Sequence, residues 1–192
     1  PYINKTSNLR SSNIFNYIET LKYLSDKNYS IIRLIDSNSK KIDLNLKNLF
    51  NLDISNKKNK LLQFYLIKNC YAFFCNSSGP SSLGSLFDKK VFHSNVYGVN
   101  TNAINERSMY IPKKVSFDGK IMNFKSLFDL GYYDGKCMTR EFYKGRFSLI
   151  ENNSQEILEG TKEFLNLDIN NIHKIQKNFK QKLPDSMEMK YY

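Results

Sequence analysis

Tyr71-Ala72-Phe73-Phe74-Cys75-Asn76-Ser77-Ser78-Gly79-Pro80-Ser81-Ser82-Leu83-Gly84-Ser85-Leu86-Phe87 decides the fold, because an apolar run breaks into small hydroxylated residues and resumes with helical spacing. It reads as strand, tight turn and helix. A helix that starts straight out of a buried strand holds its unpaired N–H groups, and the positive end of its dipole, over the sheet edge. Such a terminus suits a phosphate. Gly79 admits close backbone approach, Pro80 occupies the first helical position, and the Ser77 and Ser78 hydroxyls add donors. Ser81, in the first turn of the helix, extends the set.

Outward from this turn the chain alternates. Residues 60–69 carry Leu61, Leu62, Tyr65 and Leu66 at helical steps, and residues 91–95 read as a short strand. Residues 13–27 place Ile14, Tyr17, Ile18, Leu21 and Leu24 three and four apart, between Asn13 as a cap and Asn28 at the stop. Residues 29–35 follow at once as a β-branched run, the pattern of a buried parallel strand. Residues 36–41 form a loop, and 42–54 stay open, with a short helix followed by a short strand at 52–54 as the reading. The alternation of helix and strand predicts a parallel sheet wrapped by helices through right-handed crossovers. Residues 96–122 read as a long irregular stretch, 123–130 as a helix, 131–135 as a turn and 147–150 as a strand. Asn153 with Glu156 three residues later predicts a capping box and a helix over 153–165. A last helix over 169–182 stops before Pro184.

With 192 residues and 41% apolar content, one sizeable core is within reach and two full domains are not. The division expected is an N-terminal segment over 1–12, one domain over 13–166, and a C-terminal helix and tail over 167–192. No apolar run approaches the roughly 18 residues of a membrane span, and the N-terminus lacks a signal-peptide pattern, so no transmembrane segment and a cytoplasmic location are expected. Cys70, Cys75 and Cys137 show no paired spacing, and His93 and His173 lie far from one another, so neither a disulfide nor a metal site is predicted. No cofactor is expected. The net charge of +11 directs attention to anionic partners. Its source is 24 Lys, scattered among 24 Asn, against only 5 Arg, which describes a solvated surface better than a nucleic-acid stripe. No nucleic-acid partner is expected.

Other candidate residues each carry two readings. Arg33 lies at the end of an apolar strand, where it either clamps a phosphate at the carboxyl edge of the sheet or pairs with Asp36. Asn95 either bonds a sugar hydroxyl or holds a turn, and Glu151 either accepts from ribose or serves a helix start. His93 reads more readily as a structural group than as an acid or base. Tyr97 and the pair Tyr132-Tyr133 can stack on a base or simply pack.

Three segments taken together resemble a bacterial glycosyltransferase-like family found among surface-polysaccharide genes. Leu9-Arg10-Ser11-Ser12, Asn16-Tyr17-Ile18-Glu19-Thr20-Leu21 and Tyr29-Ser30-Ile31-Ile32-Arg33-Leu34 resemble that family's opening. Phe64-Tyr65-Leu66-Ile67-Lys68-Asn69-Cys70, the Ser77-Ser78-Gly79-Pro80 loop and Asn95 resemble its middle, and Glu151-Asn152-Asn153-Ser154-Gln155-Glu156-Ile157 its end. The likeness covers residues 9–165. Ile35 replaces a glycine of the family pattern, and Gln63-Phe64 stands where that pattern has an aspartate.

The resemblance implies the C-terminal, nucleotide-sugar-binding half of a GT-B glycosyltransferase, a Rossmann-like sheet flanked by helices, with the N-terminal GT-B domain missing upstream of Pro1. It implies a nucleoside-diphosphate sugar and a saccharide or lipid-linked acceptor as partners, a role in surface-polysaccharide synthesis, and a cytoplasmic protein, peripheral at the inner face of the membrane. Ser77, Ser78, Gly79, Ser81, Arg33 and Arg10 would hold the diphosphate, and Asn95 and Glu151 the sugar or nucleoside. No catalytic residue is assigned. The chain has no Asp-x-Asp triplet, in keeping with metal-independent transfer. UDP-N-acetylglucosamine 2-epimerases have a similar serine/glycine turn and supply the alternative enzyme class. A non-catalytic polyanion- or nucleic-acid-binding module is the alternative outside enzymes.

Overall fold

Residues 9–97, 107–129, 145 and 147–166 are described in the computed structural model of the chain. Capping chemistry sets the first elements. The Asn13 side chain accepts from the Phe15 N–H and starts a 3-10 turn at Ile14–Tyr17, which runs into α1 at Ile18–Asp26. Asn28, at φ 61°, turns the chain out of the helix, as asparagine tolerates. β1 (Ile31–Ile35) follows and pairs in parallel with β2 (Leu49–Asp53), Arg33 opposite Asn51. The open stretch 42–54 thus contains a strand that begins earlier than the expected 52–54. Asn48 secures its start, its amide donating to the Tyr29 carbonyl at 2.5 Å.

α2 (Lys57–Asn69) is capped by Asn56, whose side chain accepts from the Lys58 N–H. It leads to β3 (Ala72–Cys75), α3 (Gly79–Leu86), β4 (Lys90–Val96) and β5 (Ser108–Pro112). β3, β4 and β5 form a parallel sheet in that order. The single parallel sheet expected from the sequence is therefore two ladders. Tyr29 and Tyr71, just ahead of β1 and β3, stack with ring centroids 5.9 Å apart, while no ladder joins the two strands.

The stretch 96–122, expected to be irregular, holds β5, β6 (Lys114–Phe117) and β7 (Lys120–Ile121). Asp118 at φ 46° and Gly119 at φ 80° supply the two positive angles that a two-residue hairpin turn requires. β8 (Phe147–Ile150) pairs with the other edge of β6, completing an antiparallel sheet β7-β6-β8. α4 (Phe124–Asp129) lies between β7 and β8 in sequence, and α5 (Ser154–Leu165) begins with the predicted box, Asn153 and Glu156 each bonding the other's backbone N–H. The expected helix over 169–182 and turn over 131–135 lie outside the described residues.

The β3-β4-β5 sheet is the centre of the protein because both faces are covered. Phe74 and Phe92 share one face and meet Phe164 of α5 in an aromatic cluster with centroids 5.4–5.5 Å apart. Ile157, wholly buried, and Tyr17 close this side. Phe73 and Val91 point the other way, toward α3. There Gly84 is needed: a Cβ would lie 2.7 Å from Val91 Cγ2 and 3.0 Å from Phe73 Cδ1. Parallel strands with helices on both faces make the chain an α/β protein of Rossmann-like arrangement. Among the described residues no helix is long and apolar enough to cross a membrane.

Candidate functional site

In a parallel sheet the crevice for ligands opens beyond the carboxyl ends of the strands, where the order of connections reverses. Here β1 and β2 form one parallel ladder and β3, β4 and β5 another. The carboxyl ends of these three strands deliver Asn76 and Ser77, then Tyr97, then Lys113. The segment 9–12 lies across them: Asn76 Nδ2 donates to the Arg10 carbonyl at 3.0 Å and to Ser12 Oγ at 3.4 Å, and Lys113 Nζ donates to the Ser11 carbonyl at 2.7 Å.

The serine turn is built as the sequence predicts, a strand leading directly into a helix. Ser78 is the N-cap of α3, with extended backbone and no side-chain capping bond, and Pro80 sits in the first turn. The Gly79 N–H is among the helix-terminal donors that intrahelical bonding leaves unused. A Cβ at Gly79 would meet nothing within 4 Å, so the turn is open on that side of the backbone. Ser81 is spent locally, its hydroxyl donating to the Ser78 carbonyl at 2.6 Å. Ser77 differs from its neighbours. It is 5% exposed, and its Oγ is buried without a hydrogen-bond partner. Buried hydroxyls normally find partners, and this one, in a turn at a helix start, has none.

Arg10 stands beside this turn. Its Nη2 lies 3.4 Å from the Tyr97 hydroxyl and its guanidinium sits 5.6 Å from the Tyr97 ring centroid, an exposed cation held over an aromatic face. Lys113 is the second cation of the edge and is only 6% exposed. Burial pulls its pKa down, and the negative charge of Glu151 opposes that shift. Sequence reading missed Lys113, although a lysine directly after an apolar strand carries the same signal as the arginine in Arg33. It missed Asn76 as well, whose amide ties the turn to the segment bearing Arg10.

The remaining predicted residues are engaged elsewhere. Arg33 is in the middle of β1 rather than at its end, and its Nη2 donates to the Lys40 carbonyl at 2.6 Å instead of to Asp36. Partial burial lowers its pKa. Asn95 is wholly buried at φ 55°; its N–H donates to Asn152 Oδ1 at 2.8 Å, and its own Oδ1 accepts from the Asn152 N–H at 2.7 Å. Its amide also reaches the Tyr17 hydroxyl at 3.2 Å, and Asn152 Nδ2 bonds the Pro112 carbonyl at 2.9 Å. The pair thereby rivets the ends of β4 and β5 to the start of α5. Glu151 caps the first helical turn, accepting from the Asn13 N–H at 2.8 Å and Asn16 Nδ2 at 3.2 Å. His93 is 1% exposed, beside Cys75 Sγ at 3.5 Å, and burial lowers its pKa to about 4. Burial pushes the Cys75 thiol up, so this pair is neutral core rather than a thiolate nucleophile. Tyr132 and Tyr133 lie outside the described residues, and no cluster of metal-ligating side chains occurs among those described.

No family model, no curated protein and no solved structure matches this chain.

Proposed function

We propose that the chain is the nucleotide-sugar-binding half of a metal-independent glycosyltransferase-like protein, with the diphosphate of the donor seated at the start of α3. The observation that carries this reading is the Ser77 hydroxyl, buried, unpartnered and set where β3 turns into a helix terminus. The Ser77 hydroxyl and the Gly79 N–H would donate to one phosphate, and the helix dipole would favour its charge. Arg10, shifting from the Tyr97 hydroxyl, would take the other phosphate in a bidentate pair.

Transfer then follows from leaving-group stabilisation. The bond from the anomeric carbon to the diphosphate oxygen breaks with its electron pair going to that oxygen. The acceptor hydroxyl forms the new bond, and its proton passes to a base supplied by the N-terminal half. Fixed donors aimed at the developing negative charge lower the barrier without reorganising. Ser77, Gly79 and Arg10 fill that role, whereas Asn95 and Glu151 hold the frame.

Titration calorimetry with UDP-, GDP-, ADP- and CMP-sugars tests the proposal. One nucleotide class should bind, and Ser77→Ala and Arg10→Ala should each weaken it about tenfold, the worth of one charge-assisted or buried hydrogen bond. Ser77→Ala should not lower stability, since it removes a hydroxyl that bonds nothing. Failure of all four donors to bind, or wild-type affinity in both variants, overturns it. Release of free nucleotide and sugar without an acceptor would move the assignment to the epimerase class.

A further inference from the structure

α2 is turned the wrong way for its own composition. The side chains it buries are Gln63 and Ile67. Its larger apolar residues stand outside: Leu61 is 74% exposed, Tyr65 65% and Phe64 44%. With Lys68 they fall at i, i+3, i+4 and i+7, one continuous outward stripe along the helix. Isolated exposed apolar residues need no explanation, but a contiguous set on a helix that buries a glutamine does.

Charge indicates what meets the stripe. Lys57, Lys58, Lys60 and Lys68 flank it; all are exposed, and none has an ion-pair partner among the described residues. Residues 54–87 contain no Asp or Glu, although the chain has 18. The cores of protein interfaces are depleted in lysine. An apolar and aromatic stripe edged by lysines is instead the composition that lies in the headgroup region of an anionic bilayer.

We propose that the outward face of α2 docks on an anionic lipid surface, with Leu61, Phe64 and Tyr65 entering the boundary between headgroups and acyl chains and the four lysines meeting lipid phosphates. The surface is independent of any ligand at the serine turn. Bound this way, the protein is peripheral and its parallel sheet stays in water.

Flotation of the full chain with vesicles of mixed phosphatidylcholine and phosphatidylglycerol, and of phosphatidylcholine alone, tests it. The protein should float with the mixed vesicles only, and less so as salt is raised. Replacing Leu61, Phe64 and Tyr65 together by serine should lower partitioning at least about tenfold, with an unchanged circular dichroism spectrum because these side chains are already exposed. Each Lys→Gln should lower it about fivefold, as expected for one lysine near an anionic leaflet. Absence of flotation at low salt, or equal flotation of the triple serine variant, overturns the proposal. A dimer seen by light scattering that the triple variant abolishes, without vesicle binding, overturns it in favour of a contact between copies.

Discussion

Asn95→Ala separates a structural rivet from a sugar ligand. Removing the side chain deletes the acceptor for the Asn152 N–H and the donor to the Tyr17 hydroxyl. Tyr17 keeps Ser94 Oγ at 2.7 Å, so its loss is small, but the Asn152 N–H is left buried, in a residue only 3% exposed. An orphaned buried donor costs about 1–3 kcal/mol. Alanine at a φ of 55° brings no Cβ that asparagine lacks, so the backbone strain is common to both and adds little to the difference. The loss, about 1–3 kcal/mol, is a large part of the 5–15 kcal/mol typical of a domain. Asn95→Gly should recover about 1 kcal/mol of it by relieving the backbone alone. Urea unfolding followed by circular dichroism measures both variants. An Asn95→Ala protein as stable as wild type that has lost nucleotide-sugar affinity would refute the reasoning, because Asn95 would then serve the ligand and not the fold.

Gly160→Ala should destabilise by about 1 kcal/mol even though alanine favours helices, because the new methyl would lie 2.9 Å from Phe92 Cζ in the packed core; a raised melting temperature would contradict the packing described. His93 is held neutral by burial, with a folded pKa of about 4 against 6.5 in the open chain. The unfolded state therefore takes up the proton first, and stability is lost as pH falls below the unfolded value, by about 2 kcal/mol between about pH 7.5 and about pH 5. Urea unfolding at the two pH values checks this, and His93→Gln should flatten the difference.

How legible this fold was depended on the length of each periodic segment. The helix at Ser154–Leu165 was readable because Asn153 and Glu156 announce it and its apolar spacing is long. The turn from Cys75 to Gly79 was readable because its residue types change abruptly. β5, β6 and β7 were not, since strands of two to five residues give little period, and Pro112 interrupts the one apolar run. The Asp118-Gly119 pair between Phe117 and Lys120 was nevertheless a hairpin signal in plain view. The site was legible only where chemistry sits on one segment. Ser77 and Gly79 belong to a single turn, whereas the pairing of Asn95 with Asn152 spans 57 positions and the contact of Lys113 with Ser11 spans 102. No local pattern encodes such partners. Arg33 was misplaced within its strand, not by the strand's bounds: the expected run over 29–35 ends at Ile35 as β1 does, so Arg33 lies two residues inside it, and the partner it finds, the Lys40 carbonyl, comes from the loop beyond.

The missing ladder between β1 and β3 divides the cooperative behaviour of the protein. β1 and β2 share one hydrogen-bonded unit with half-exposed side chains, whereas β4 is buried along nearly its whole length under helices on both sides. Amide protons of residues 31–35 and 49–53 should accordingly exchange with deuterium through a partial opening that leaves residues 90–96 protected, so the two halves of the parallel architecture melt as separate foldons.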